Sequence, residues 1–296
     1  MAELENINRI SGKFKKITRA AIRINPDVEA KTHKYVTTGK ITNKFGIDLD
    51  SAYKILLLRD KFKNLNICGL HIHIGSQITE SAPFVAAVRK VSDFIRHLKH
   101  KGIELKYLNI GGGLGIVYDR ETPQTARIYA DKIIPLLKET GLKIIMEPGR
   151  FIAGNAGILV TKVLYIKDTP KKKFIIVDAG MNDLIRPALY GAYHEILPAK
   201  TGRRKPNTEN RAPRTERADL VGPICESGDF LAKERLIPKV KEGDYLAVMG
   251  SGAYGFSMSS NYNSRPRPAE VMVAGNKVSL IRKRENFNDL IRNEKA

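Results

Sequence analysis

The first half of this chain alternates short apolar runs, each stopped by glycine or proline, with longer segments of helical period. Few folds accommodate that alternation. "AAIRI" (20–24) reads as a strand stopped at Asn25-Pro26, and "ICGLHIHIG" (67–75) as a second. "LKYLNIGGG" (105–113) and "LKIIMEPGR" (142–150) read as a third and a fourth. Between the second and third, Phe84, Val88, Val91, Ile95 and Leu98 step by 4, 3, 4 and 3, the spacing of one helix face. Gly102 is the expected stop. "TARIYADKIIPLLKETG" reads as another helix, with a kink expected at Pro135. Strands separated by helices pair in parallel, because a parallel crossover needs a connection that long. Ligands in such sheets sit at the C-terminal strand ends. Here those ends carry "HIHIGS", "GGG" and "EPGR".

Beyond residue 151 the pattern changes. "GILVTKVLYIKD", "KKFIIVDAG", "ADLVGPICES", "DYLAVMG" and "EVMVAGNKVSLIRK" are short strand-like runs with little helix between them. Gly275-Asn276 is placed as a hairpin turn. The expectation is therefore an α/β domain over 1–150 and a β-rich domain over 151–296. Residues 200–217, "KTGRRKPNTENRAPRTER", are basic and polar and read as a solvated loop.

The 51 Lys and Arg against 31 Asp and Glu leave a formal net charge of +20. That favours polyanions in general, but the charge is spread over helix faces such as "RKVSDFIRHLKHKG" and no nucleic-acid motif accompanies it. A solvated surface is the expectation; polyanion binding through the 200–217 loop is the alternative. The two cysteines, Cys68 and Cys225, form neither a metal nor a disulfide framework. The polar opening "MAELENINRISGKF" is unlike a secretory signal. No apolar run approaches a membrane span. These features lead to the expectation of a cytoplasmic protein.

At the strand ends each motif carries two readings. His71 and His73, two apart in a strand, share a face and could be metal ligands, catalytic groups or core residues. No third ligand is spaced to complete a metal site. Gly111, Gly112 and Gly113 suit a phosphate nest, with Ser76 as an added donor, or a turn that needs glycine for steric reasons. Glu147 and Arg150 suit a protonated ring nitrogen and a phosphate or carboxylate, or simply a surface salt bridge. Further on, "GPICESGDF" sets Cys225 beside Glu226, Arg186 and Tyr190 stand four apart, and Tyr254 lies in a glycine-rich turn. A lone cysteine is ordinarily buried and structural.

Taken together, "RINPDVEAKTHKYVTTGKITNKFGI", "GLHIHIGSQI", "LNIGGGLGI", "EPGRFI", "DAGMNDLIRPALYGAYHEI", "GPICESGDFL" and "GAYGFSMSSNYNSRPRPAEVMV" resemble the pyridoxal-phosphate-dependent decarboxylases of alanine-racemase-like fold, the diaminopimelate decarboxylases in particular. The resemblance implies pyridoxal phosphate as cofactor, and decarboxylation of meso-diaminopimelate to L-lysine, or of a related basic amino acid such as ornithine or arginine. It implies that His73 stacks on the cofactor ring and that Ser76 and Gly113 hold its phosphate. Glu147 would meet the ring nitrogen, with Pro148, Gly149 and Arg150 also at the cofactor. Arg150, Arg186, Tyr190 and Tyr254 would hold substrate carboxylates, Tyr254 also standing near the cofactor phosphate. Cys225 would be the catalytic proton donor and Glu226 the contact to the distal amine. These last two would come from the other subunit of a homodimer, so that the active site is shared.

The resemblance also implies a (β/α)8 barrel, of whose eight strands four are found, ending near residues 24, 74, 110 and 146. The fold expected is the C-terminal half of a barrel followed by a β-rich domain. The family's cofactor-bearing lysine lies in an earlier strand, and Lys44 does not take its place. The expectation is a C-terminal piece of a full enzyme, with one half of a split enzyme or a non-catalytic partner protein as alternatives.

Overall fold

The computed structural model describes residues 1–28, 44–199 and 214–295. They form two compact units, Met1–Ile116 with Glu121–Phe151, and Val117–Arg120 with Ile152–Ala296.

In the first unit, α1 (Ala2–Lys13), β1 (Thr18–Arg23), α2 (Leu49–Leu57), β2 (Leu65–His71), α3 (Ala82–His100), β3 (Tyr107–Asn109), α4 (Ala126–Thr140), β4 (Lys143–Ile145) and the start of α5 (Gly149–Ala153) follow in order. The sheet is parallel throughout, in the order β1-β2-β3-β4. The register sets Arg23, His71, Asn109 and Ile145 side by side across its C-terminal edge. The apolar face of α3, Phe84, Val88, Val91, Ile95 and Leu98, is buried in one core with Leu70 and Leu108 of the sheet. Each such side chain contributes about 1.5–3 kcal/mol on burial. Gly102 ends α3 as expected: its φ is +72°, and the Ile103 N–H closes back on the Leu98 carbonyl at 2.9 Å. Thr125 caps α4 through its hydroxyl, 3.2 Å from the Ile128 nitrogen. Pro135 lies inside that helix.

One local expectation fails. β2 stops at His71, so His73 is outside the strand and the two histidines are not a same-face strand pair. The Ile72 N–H makes the last ladder bond, to the Asn109 carbonyl at 2.8 Å. The chain then turns through positive φ at Gly75 and Gln77. β3 and β4 likewise end at Asn109 and Ile145, one residue sooner than expected.

The second unit contains β5 (Leu159–Asp168), β6 (Lys173–Val177), α6 (Arg186–Tyr190), β7 (Ile196–Pro198), β8 (Thr215–Val221), β9 (Phe230–Pro238) and β10 (Tyr245–Val248). They form a six-stranded sheet, β7-β10-β5-β6-β8-β9, antiparallel except for the β6–β8 pair. β11 (Glu270–Ala274) and β12 (Lys277–Arg282) make a separate hairpin about Gly275-Asn276, as the sequence indicates, before α7 (Phe287–Ile291). Val163, Ile175, Val177, Leu220, Leu231, Leu246 and Val248 form the core. Strands β7 and β9 were not expected. Of the loop expected over 200–217, Thr215–Arg217 instead open β8. Its earlier part, 200–213, lies outside the described residues. Among the described residues no helix is long and apolar enough to cross a membrane.

Candidate active site

Parallel pairing brings "HIHIGS", "GGG" and "EPGR" to one rim of the first unit. The backbone there is packed so tightly that only glycine fits. A Cβ on Gly111 would strike the Ile72 carbonyl, one on Gly112 the Glu147 carbonyl, and one on Gly113 the Gly75 carbonyl. Gly111 and Gly113 also need φ of +69° and +101°. The steric reading of the triplet is therefore correct as far as it goes.

The donors show what else the turn offers. The Gly111 N–H goes to Asn109 Oδ1 at 2.8 Å, and the Gly112 N–H to His73 Nδ1 at 3.1 Å. The Gly113 N–H meets no acceptor among the described residues. Ser76 Oγ accepts from Arg150 Nε and Nη2 at 3.3 and 3.0 Å, which leaves its own proton to donate. A backbone N–H, a hydroxyl and a guanidinium thus stand on neighbouring stretches, a donor set suited to a phosphate. Arg150 itself lies in the first turn of α5 rather than at a strand end.

Glu147 stands at the other side of the glycines, half exposed. Its Oε1 accepts from Asn109 Nδ2 at 2.6 Å, while Oε2 accepts from no group among the described residues. The salt-bridge reading of Glu147 with Arg150 gives way to this hydrogen bond to Asn109. His71 Nε2 is 3.7 Å from Glu147 Oε1, too far for a hydrogen bond. Burial pushes the His71 imidazole below its usual pKa against the opposing pull of Glu147. Burial first, and then Arg23, does the same for His73. Because His73 Nδ1 accepts from Gly112, its neutral ring carries the proton on Nε2, and this bond fixes the ring's orientation. Pro148 and Gly149 form the tight link after Glu147, with the Gly149 N–H 2.8 Å from the Glu147 carbonyl. Asn109 and Arg23 were missed in the sequence. The signal was available for Asn109, a polar residue ending an apolar strand and separated from the glycines by Ile110 alone.

In the second unit Arg186 opens α6 and is buried. Its Nη1 is 2.9 Å from His194 Nε2, and its guanidinium lies 4.5 Å over the Tyr118 ring. Tyr190, half-buried, closes the same short helix. Cys225 is exposed, not a buried structural cysteine. Strand β8 ends before it, and Asn263 Nδ2 is 3.3 Å from its sulfur. The Tyr262 hydroxyl donates to Glu226 Oε2 at 2.6 Å, which pushes the phenol's pKa up. A cavity of about 440 Å³ beside Glu226 is lined by Met181, Asn182, Ile185, Ser260 and Tyr262. Behind this loop the buried Asp229 accepts from the Met181 and Ile224 N–H groups, both at 2.6 Å. Tyr254 holds a φ of +60° between Gly252 and Gly255, where any added Cβ would strike the Ala153 and Ser251 carbonyls respectively.

Comparison with known proteins agrees with this chemistry. Residues 1–154 match the pyridoxal-binding domain of the pyridoxal-dependent decarboxylases. The chain is 52% identical over 290 residues to diaminopimelate decarboxylase of Aquifex aeolicus, covering 98% of this chain and 67% of that protein. It is 48% identical to that of Vibrio cholerae, covering 97% of this chain and 67% of that protein. The Helicobacter pylori diaminopimelate decarboxylase solved in complex with L-lysine superposes with a TM-score of 0.89 at 40% identity, over 98% of this chain and 70% of that one. The chain thus spans about two thirds of the length of the relatives it matches. It belongs to the diaminopimelate decarboxylase family of pyridoxal-dependent decarboxylases.

Proposed function

We propose that the protein catalyses the pyridoxal-phosphate-dependent decarboxylation of meso-diaminopimelate to L-lysine and CO₂. The observation that carries this reading is the donor and acceptor pattern of the first unit's rim. The Gly113 N–H, the Ser76 hydroxyl and Arg150 suit a phosphate, and Glu147 Oε2 suits a ring N–H. Those are the two polar ends of pyridoxal phosphate, and the residues fit it.

In this reading the first unit is the cofactor-binding domain and its sheet is part of a (β/α)8 barrel. Bound pyridoxal phosphate supplies an electron sink for the pair left behind by departing CO₂. Glu147 would hold the ring nitrogen in its protonated form, which would deepen that sink. His73, its ring held by the Gly112 N–H, would stack on the cofactor ring. Pro148 and Gly149 would line the cofactor next to Glu147. In the β-rich second unit Arg186 and Tyr190 would take carboxylates and Tyr254 a carboxylate or a phosphate; in the first, Arg150 would also suit a carboxylate. Glu226, oriented by Tyr262, takes the distal ammonium. The Cys225 thiol returns a proton to the carbon that lost CO₂. Cys225 and Glu226 serve the site of the partner subunit in a homodimer.

The test is carboxyl-labelled meso-diaminopimelate offered to the intact protein with pyridoxal phosphate. Labelled CO₂ and lysine in equal amounts are expected, with little release from ornithine or arginine. Preferential turnover of ornithine or arginine would replace the substrate, and cofactor-independent release would overturn the reading.

A further inference from the structure

We propose that His194 is a positioning residue for the substrate, holding the Arg186 guanidinium in a fixed orientation from behind. The inference rests on the reading of Arg186 as a carboxylate ligand.

His194 is fully buried, and its ring is held at both nitrogens. Nε2 lies 2.9 Å from Arg186 Nη1, and Nδ1 lies 2.8 Å from the Met249 carbonyl. A guanidinium has donors and no acceptor. Nε2 must therefore be the accepting nitrogen, which puts the ring's proton on Nδ1, where the Met249 carbonyl receives it. This is a neutral imidazole in one defined tautomer. The main chain of His194 is tied down as well, its carbonyl accepting from Arg235 Nη1 at 2.9 Å. Tyr118 packs edge-on against the imidazole, with ring centroids 5.4 Å apart, and its face lies beneath the guanidinium.

The chemistry of that partner matters. An arginine that must receive a carboxylate needs its fork aimed before the ligand arrives. A carboxylate in the place of His194 would aim it but would add a negative charge competing with the ligand. A neutral imidazole aims it and adds none. Nothing about the sequence spacing of His194 suggests a ligand or catalytic role, and the geometry gives it one through Arg186.

Steady-state kinetics on the intact holoenzyme separate the possibilities. His194→Phe, which packs but cannot accept, is expected to raise KM for meso-diaminopimelate about tenfold or more, the worth of one charge-assisted hydrogen bond, with kcat changed much less. His194→Gln, whose side-chain oxygen accepts from the guanidinium, is expected to recover most of that loss. A purely structural histidine would lower the yield of folded enzyme and leave KM alone. Arg186→Lys is run alongside. If Arg186→Lys raises KM while His194→Phe does not, the positioning role is overturned and the reading of Arg186 stands. If Arg186→Lys leaves KM unchanged, the reading of Arg186 fails and the inference falls with it. Should His194→Phe not fold, ¹⁵N spectra of the wild-type imidazoles decide. One ring, absent in His194→Gln, is expected as the neutral Nδ1–H tautomer; an Nε2–H tautomer or an imidazolium there would overturn the proposal.

Discussion

The rim of the first unit and the loops of the second are built on opposite plans. The rim is framed by main chain. Three strand ends pack carbonyl against glycine so closely that no Cβ is tolerated, and the side chains of Ser76, Arg150, Asn109 and Glu147 are set around that frame. In the second unit the candidate groups are side chains, on the short helix α6 and on loops, and buried side chains that reach far along the sequence hold those segments in place. Asp229 reaches the Met181 N–H 48 positions away, and His194 reaches the Met249 carbonyl 55 positions away. A main-chain site is determined by where glycine stands. A side-chain site is determined by tertiary partners, and its tuning is distributed among them.

That contrast breaks most readily at Gly112. Gly112→Ala drives a methyl into the Glu147 carbonyl. A loss of at least about 3 kcal/mol is expected in chemical denaturation, together with the loss of pyridoxal phosphate binding by dialysis. Next in size is Cys225→Ala, on an exposed loop. It should change stability by no more than about 0.5 kcal/mol and lower the decarboxylation rate by about 10²–10⁴; an unfolding midpoint that drops with the rate would show the two plans to be less distinct. Asn109→Ala removes the one side chain that joins Glu147 to the Gly111 N–H. Pyridoxal phosphate affinity should weaken about tenfold, with a smaller change in KM for substrate.

The smallest effects are in acid. Burial raises the pKa of Asp183 against the Gly180 N–H and Arg265. A carboxyl raised in the folded state favours the protonated form, so its contribution is present below its unfolded value and is lost as pH rises through the folded one. The stability difference between wild type and Asp183→Asn should therefore shrink as pH rises from about 4. Glu285 is the reverse, lowered first by the Arg267 N–H and then by Asn261. The difference between wild type and Glu285→Gln should grow as pH rises through the normal carboxyl range. Paired urea titrations across that range measure both slopes, and equal signs would contradict the assignment.

The same contrast explains what could be read in the sequence. The parallel sheet, the α3 face and the stop at Gly102 follow from local period and local turn chemistry, and so did the convergence of three motifs on one rim. The position of His73 did not. Strand period says nothing about where a ladder ends, and β2 leaves its neighbour at Ile72. Strand β9 escaped notice because "FLAKERLIP" carries Lys233-Glu234 in mid-strand, with Glu234 at φ +49°. Strand β7 has three residues and ends in Pro198, too short for any period. Cys225 and Glu226 stand out as a motif with Asp229 close by, whereas the hold of Asp229 on that loop and of Tyr262 on its acid shows itself only once the chain is folded.

The most direct test of the two-plan account is the pyridoxal phosphate dissociation constant of Glu147→Gln beside that of Arg186→Lys, each on the intact protein by equilibrium dialysis. Binding about tenfold weaker is expected for Glu147→Gln, which loses the charge opposite the ring nitrogen, and an unchanged constant for Arg186→Lys, whose defect should appear only in KM for substrate. Equal losses in both, or a loss confined to Arg186→Lys, would contradict it.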